Sequence, residues 1–126
     1  MSQKLLIVDD EAHIRMLIEQ TLEELEEHDV EFFSADNGEQ ALEIIRNENP
    51  QLVFLDVLMP KMNGMEVCRR VRNELSFSET YIILLTAKGQ EAYKQKGQEV
   101  GADLYLTKPF DPELLLKNAK KVLGIN

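Results

Sequence analysis

Three carboxylates, a hydroxyl and an ammonium recur at equivalent places along this chain. Asp9-Asp10 follows the apolar run 5–8, Asp56 follows 52–55, Thr86 follows 81–85, and Lys108 comes just after 104–106. Carboxylates gathered at one place repel each other, and a hard divalent cation with oxygen ligands relieves that repulsion. Mg2+ suits such a set, because it takes a few carboxylates and leaves positions for water and a phosphate. One carboxylate can then act as a nucleophile on phosphorus. Asp56 is the strongest candidate, being single, central and followed by a loop. Lys108 offers a fixed cation and Thr86 a hydrogen-bond donor for the transferring group. Singly, each residue has an ordinary explanation as a helix cap, loop carboxylate, turn residue or solvated charge. Jointly, they point to phosphoryl chemistry.

The elements that must position these residues alternate. Short apolar runs at 5–8, 30–34, 52–55, 81–85 and 104–106 read as strands. Between them Ile14, Leu17, Ile18, Thr21, Leu22 and Leu25 follow helical spacing, as do Ala41, Leu42, Ile44 and Ile45, and then Val67, Val71 and Leu75. Leu114, Leu115, Asn118, Val122 and Leu123 form a last amphipathic helix. This alternation predicts an α/β fold, a doubly wound parallel sheet covered by helices on both faces. Asn37-Gly38 opens the second helix, Pro50 ends the following loop, and Gly101 turns the chain into the fifth strand. That strand, Asp103-Leu104-Tyr105-Leu106, is mixed in character and belongs at an edge. In such a sheet the functional crevice lies at the carboxyl ends of the strands, where all the residues above fall.

Composition narrows the function classes. With 126 residues, 44% hydrophobic and 29% charged, the chain has the balance of one globular domain, and we read residues 1–126 as a single domain without an output domain. A formal net charge of −9 disfavours direct contact with nucleic acid or anionic lipid. Part of it lies in Glu23-Glu24-Leu25-Glu26-Glu27, read as the solvated face of a helix whose Leu22 and Leu25 point inward. Apolar runs are too short to span a bilayer and the first residues lack an export pattern, so a cytoplasmic location is expected. The one cysteine, Cys68, sits at helical spacing among Met65, Val67 and Val71 and reads as a buried hydrophobe. His13 and His28 read as surface residues, and Met59, Met62 and Met65 as packing around the acidic site.

The motifs resemble those of the receiver domains of two-component response regulators, over residues 4–123. Leu6-Ile7-Val8-Asp9-Asp10-Glu11 is similar to the family's acidic opening, and Asp56-Val57-Leu58-Met59-Pro60-Lys61-Met62-Asn63-Gly64 to its phosphorylation loop. Leu84-Leu85-Thr86-Ala87 and Gly101-Ala102-Asp103-Leu104-Tyr105-Leu106-Thr107-Lys108-Pro109-Phe110 resemble its fourth- and fifth-strand signatures. The resemblance implies the flavodoxin-like strand order 2-1-3-4-5 with five helices, and Asp56 as the site of an aspartyl phosphate. It implies Mg2+ held by Asp10 and Asp56, by Asp9 through water, and by the backbone carbonyl of Leu58. Thr86 and Lys108 would contact the phosphoryl oxygens, and the Lys108-Pro109 bond would be cis. It further implies a sensor histidine kinase or phosphotransfer protein as donor and a downstream protein as target. Thr86 and Tyr105 would switch the surface of the fourth helix, fifth strand and fifth helix, with the chain a monomer or weak dimer. Gly89 and Gly97 would make the fourth helix easily remodelled. Asn63 departs from a frequent Asp, and Leu58 and Lys88 stand where residues tune phosphate lifetime.

Two rivals share some of these features. A haloacid-dehalogenase-type hydrolase also pairs an Asp nucleophile with Mg2+, Thr and Lys, but needs a second Asp where Leu58 stands. A flavodoxin-like redox protein would need a glycine- and hydroxyl-rich phosphate loop in place of Asp9-Asp10. The remaining alternative is a receiver-fold binding module independent of phosphate.

Overall fold

A computed structural model describes residues 2–75, 79–87 and 92–126, without the side chains of 92–94. Its strands are β1 (Gln3–Val8), β2 (Val30–Ala35), β3 (Leu52–Asp56), β4 (Tyr81–Ala87) and β5 (Leu104–Lys108), and its helices α1 (Ala12–Thr21), α2 (Gly38–Glu48), α3 (Gly64–Asn73), α4 (Ala92–Glu99) and α5 (Pro112–Leu123). The strands form one parallel sheet in the order β2-β1-β3-β4-β5, which places the mixed fifth strand at an edge as expected.

Strand residues alternate between two cores. Leu6, Val8, Val53, Leu55, Ile82 and Leu84 pack under Ala41, Leu42 and Ile45 of α2 and Val67, Cys68 and Val71 of α3. Leu5, Ile7, Phe54, Ile83 and Leu85 pack on the opposite face under Ile18 of α1 and Leu115, Ala119 and Leu123 of α5. Both faces of the central strands are therefore buried, which is why their sequences are continuous apolar runs and not alternating ones.

Local chemistry sets the boundaries. Asn37 caps α2 by accepting from the Gln40 amide at 2.9 Å, Asn63 caps α3 from Glu66 at 2.9 Å, and Asp111 precedes Pro112 at the start of α5. Gly101 adopts φ 97 in the turn before β5, a conformation that favours glycine.

Three readings are corrected. The acidic run does not continue α1: it forms a 3-10 turn, Glu23–His28, which makes a sixth helical element beside the five α-helices. Leu22 and Leu25 are nevertheless fully buried, because residues three apart align in a 3-10 turn nearly as they do in an α-helix. Leu17 and Leu114, counted on buried stripes, are each 45% exposed, and the apolar face of α5 runs instead through Leu115, Ala119 and Leu123. Leu75 lies beyond the end of α3. Gly97 falls within α4, whereas Lys88 and Gly89 lie outside the described residues. Among the described residues no helix is long and apolar enough to cross a membrane.

Candidate functional site

The sheet delivers the predicted residues to one edge. Asp56 is the last residue of β3, Thr86 the penultimate residue of β4 and Lys108 the last of β5, while Asp9 directly follows β1. Asp9, Asp56 and Thr86 are buried, a rare state for polar side chains unless they are paired or functional. Asp10 is exposed beside them.

Lys108 joins the acids. Its Nζ donates to Asp9 Oδ2 at 2.7 Å and to Asp56 Oδ1 at 3.2 Å. Asp9 is further fixed because its Oδ1 accepts from the Glu11 amide at 2.9 Å, and its backbone carbonyl accepts from Arg15 Nη1 of α1. Burial, joined by the charge of Asp9, pushes the Asp56 carboxyl up to about 6, against the opposing pull of Lys108. Burial alone would lower the Lys108 pKa, but the hydrogen bond to Asp9 and the charges of both carboxylates outweigh it and raise the value.

The loop after Asp56 is held at both ends. The Val57 amide donates to Leu85 O at 2.9 Å and the Gly64 amide to Val57 O at 2.9 Å. Within the loop Met62 N donates to Pro60 O at 2.8 Å, and Lys61 takes φ 69. Asn63, where an acid is frequent, serves as the cap of α3, a role its side-chain oxygen fills without a charge. Leu58, two residues after Asp56, is exposed. The Lys108-Pro109 bond is cis, as expected.

Carboxylate oxygens of Asp9, Asp10 and Glu11 lie within 4.8 Å of one another. Glu11 was not singled out as a ligand from sequence, although three consecutive acids after a strand were the available signal. Asp56 is not in that group but across Lys108 from it. The donor set is all hard oxygen, and the charge of Asp9 adds to burial in raising the pKa of Asp56, so the residues fit a small hard cation such as Mg2+.

Tyr105 stands opposite Leu84 in the β4–β5 register, as Thr107 stands opposite Thr86. Residues two apart share a sheet face, so Tyr105 and Thr86 lie on the same side. Tyr105 packs against the α2–α3 core and borders a cavity of about 140 Å³ that is also lined by Gly97, Gln98, Ala102, Asp103 and Leu104. The other predicted side roles hold: Cys68 is buried with its thiol donating to Val100 O at 3.4 Å, His13 and His28 are exposed, and the three methionines are partly buried against the core.

Comparison with known proteins agrees with this fold. Residues 5–120 match the family described as response regulator receiver domain. A probable transcriptional regulator, ycf27, of Porphyra purpurea is 46% identical over 96% of this chain and 47% of its own length. The Bacillus subtilis alkaline phosphatase synthesis transcriptional regulatory protein PhoP is 43% identical over 98% of this chain and 49% of its own length. The chain thus spans about half the length of these curated relatives. A crystal structure of a response regulator from Chloroflexus aurantiacus superposes with a TM-score of 0.88 at 35% identity, covering 98% of this chain and 99% of that one.

Proposed function

The chain belongs to the response regulator receiver domain family, and from that premise we propose that it accepts a phosphoryl group on Asp56 and passes the signal on by changing its protein-binding surface. The observation that carries this reading is the bridging of Asp9 and Asp56 by one ammonium at 2.7 and 3.2 Å in a buried crevice.

In the proposed reaction an Asp56 carboxylate oxygen forms a bond to phosphorus while the bond to the donor's leaving group breaks, and the leaving group keeps that electron pair. The donor is the phosphohistidine of a sensor histidine kinase or phosphotransfer protein. Lys108 pairs with the phosphoryl oxygens as it now pairs with the carboxylates, and the Thr86 hydroxyl donates to them. Asp10, Asp56 and the Leu58 carbonyl, with Asp9 acting through water, would hold Mg2+, which when bound would neutralise charge on the phosphoryl oxygens. Burial of Asp56 limits access of water to the acyl phosphate.

Signal output follows from the shared face of Thr86 and Tyr105. A phosphoryl group adds charge and acceptor oxygens beside Thr86. A hydroxyl drawn toward them vacates space on the Tyr105 side of the sheet, into which the ring can move. The surface of α4, β5 and α5 then changes, to the extent that phosphate stabilises the altered state. The net charge of −9 favours a protein target over nucleic acid for this segment.

The test is chemical. After incubation with Mg2+ and acetyl phosphate, a gain of one phosphoryl mass that hydroxylamine removes identifies an acyl phosphate. A label that survives hydroxylamine would contradict the reading.

A further inference from the structure

Gly38, the first residue of α2, touches the loop after Asp56 so closely that no side chain fits between them. A Cβ at Gly38 would lie 2.3 Å from the Met62 carbonyl oxygen, 2.7 Å from Met62 Cβ and 2.9 Å from Val67 Cγ2. Ordinary contact begins near 3.4 Å, so a methyl group would force helix and loop apart by about 1 Å. The backbone itself does not call for glycine here, since the described glycines with positive φ are Gly101 and Gly124. Close approach is what the position requires.

The loop cannot absorb that displacement at its ends. It is tied by Val57 N to Leu85 O and by Gly64 N to Val57 O, both at 2.9 Å. Its opposite flank is a second close contact, for a Cβ at Gly64 would lie 2.3 Å from the Asp56 carbonyl oxygen. Two glycines on different elements therefore clasp the segment 56–64. A push on the Met62 carbonyl is directed into residues 58–63 and, through Gly64, onto the backbone of Asp56.

We propose that Gly38 is a positioning residue for phosphoryl transfer: its missing side chain lets α2 seat the loop so that the Asp56 carboxyl and the Leu58 carbonyl face the crevice together. This rests on the phosphoacceptor reading above. It gives α2, which contributes no group to the site, a part in the chemistry.

The comparison is between Gly38→Ala and Asn37→Ala. Asn37→Ala removes the cap on the Gln40 amide, weakening α2 without adding an atom toward the loop. Three quantities are measured: backbone amide chemical shifts in the metal-free protein, thermal midpoint, and the rate of labelling by acetyl phosphate with Mg2+. Gly38→Ala is expected to shift the amides of Val57, Leu58 and Gly64 and to slow labelling on the order of 10- to 100-fold, whereas Asn37→Ala lowers the midpoint but keeps labelling within about 2-fold. Unmoved loop amides with wild-type labelling in Gly38→Ala would overturn the assignment. So would equal loss of labelling in Asn37→Ala, or a Gly38→Ala chain that does not fold, which would make the glycine a requirement of the fold. A wild-type chain that fails to label would overturn the phosphoacceptor reading itself, and the metal-free amide shifts would still report whether the Gly38–Met62 contact holds the loop.

Discussion

Lys108 Nζ reaches Asp56 Oδ1 at 3.2 Å across 52 residues of sequence, and the same atom holds Asp9 at 2.7 Å. One cation thus compensates two buried carboxylates. Removing one member of a buried charge set leaves the others uncompensated, at a cost of about 3–5 kcal/mol. Lys108→Met is therefore expected to destabilise the metal-free protein by roughly that amount at pH 8, with partial recovery at pH 5, where Asp56, freed from the opposing pull of Lys108, takes up a proton. Chemical denaturation at the two pH values checks it, and equal loss at both would show that charge is not the cause.

The raised pKa of Asp56 gives a pH dependence with a definite sign. Its folded value of about 6 lies above the ordinary 3.8, so between these values the folded state binds more proton than the unfolded. The associated stability is fully present below 3.8 and lost as pH rises through about 6. At ~1.4 kcal/mol per pH unit the loss is about 3 kcal/mol at most. In chelator, the wild type is expected to be less stable at pH 7.5 than at pH 5, and Asp56→Asn to lack this component. Mg2+ at 100 times its dissociation constant should restore ~2.7 kcal/mol at the higher pH.

Much of this arrangement was legible in the sequence, for identifiable reasons. Leu5 to Val8 and Leu52 to Leu55 are fully buried, and a parallel strand covered on both faces can be written only as such a run. Asp56, Thr86 and Lys108 were found because each closes a strand, and parallel strands all end at the same edge. What could not be read is pairing across distance. Nothing in the sequence says that Lys108 binds Asp9 more closely than Asp56, since that depends on side-chain reach within the crevice. The 3-10 turn was hidden because Leu22 and Leu25 satisfy either helical spacing. Gly38 was read as helix punctuation, although Asn37 supplies the cap and Gly38 supplies space for Met62.

Asp103 serves structure and not chemistry. Its Oδ2 accepts from the Ile82 amide at 2.8 Å and from Arg72 Nη2 at 2.8 Å, tying the start of β4 to α3 and to the turn before β5. Asp103→Ala is expected to cost about 1–3 kcal/mol by leaving that amide unsatisfied. Its labelling rate, measured where the variant is fully folded, should match the wild type, and a large loss there would give Asp103 a role in the site.

Cys68 should be chemically silent. It is fully buried and its thiol is pushed up to about 11, chiefly by burial, so almost none is thiolate at neutral pH. Ellman's reagent is expected to react only after unfolding. Rapid reaction of the native protein would show that α3 opens readily from the sheet.

The most direct test of the central claim is intact mass after incubation with acetyl phosphate, with and without Mg2+, for the wild type and Asp56→Asn. The account expects one added phosphoryl group in the wild type, dependent on Mg2+ and absent from Asp56→Asn. An unlabelled wild type, under conditions that label another receiver domain, or a label that persists in Asp56→Asn, would contradict it.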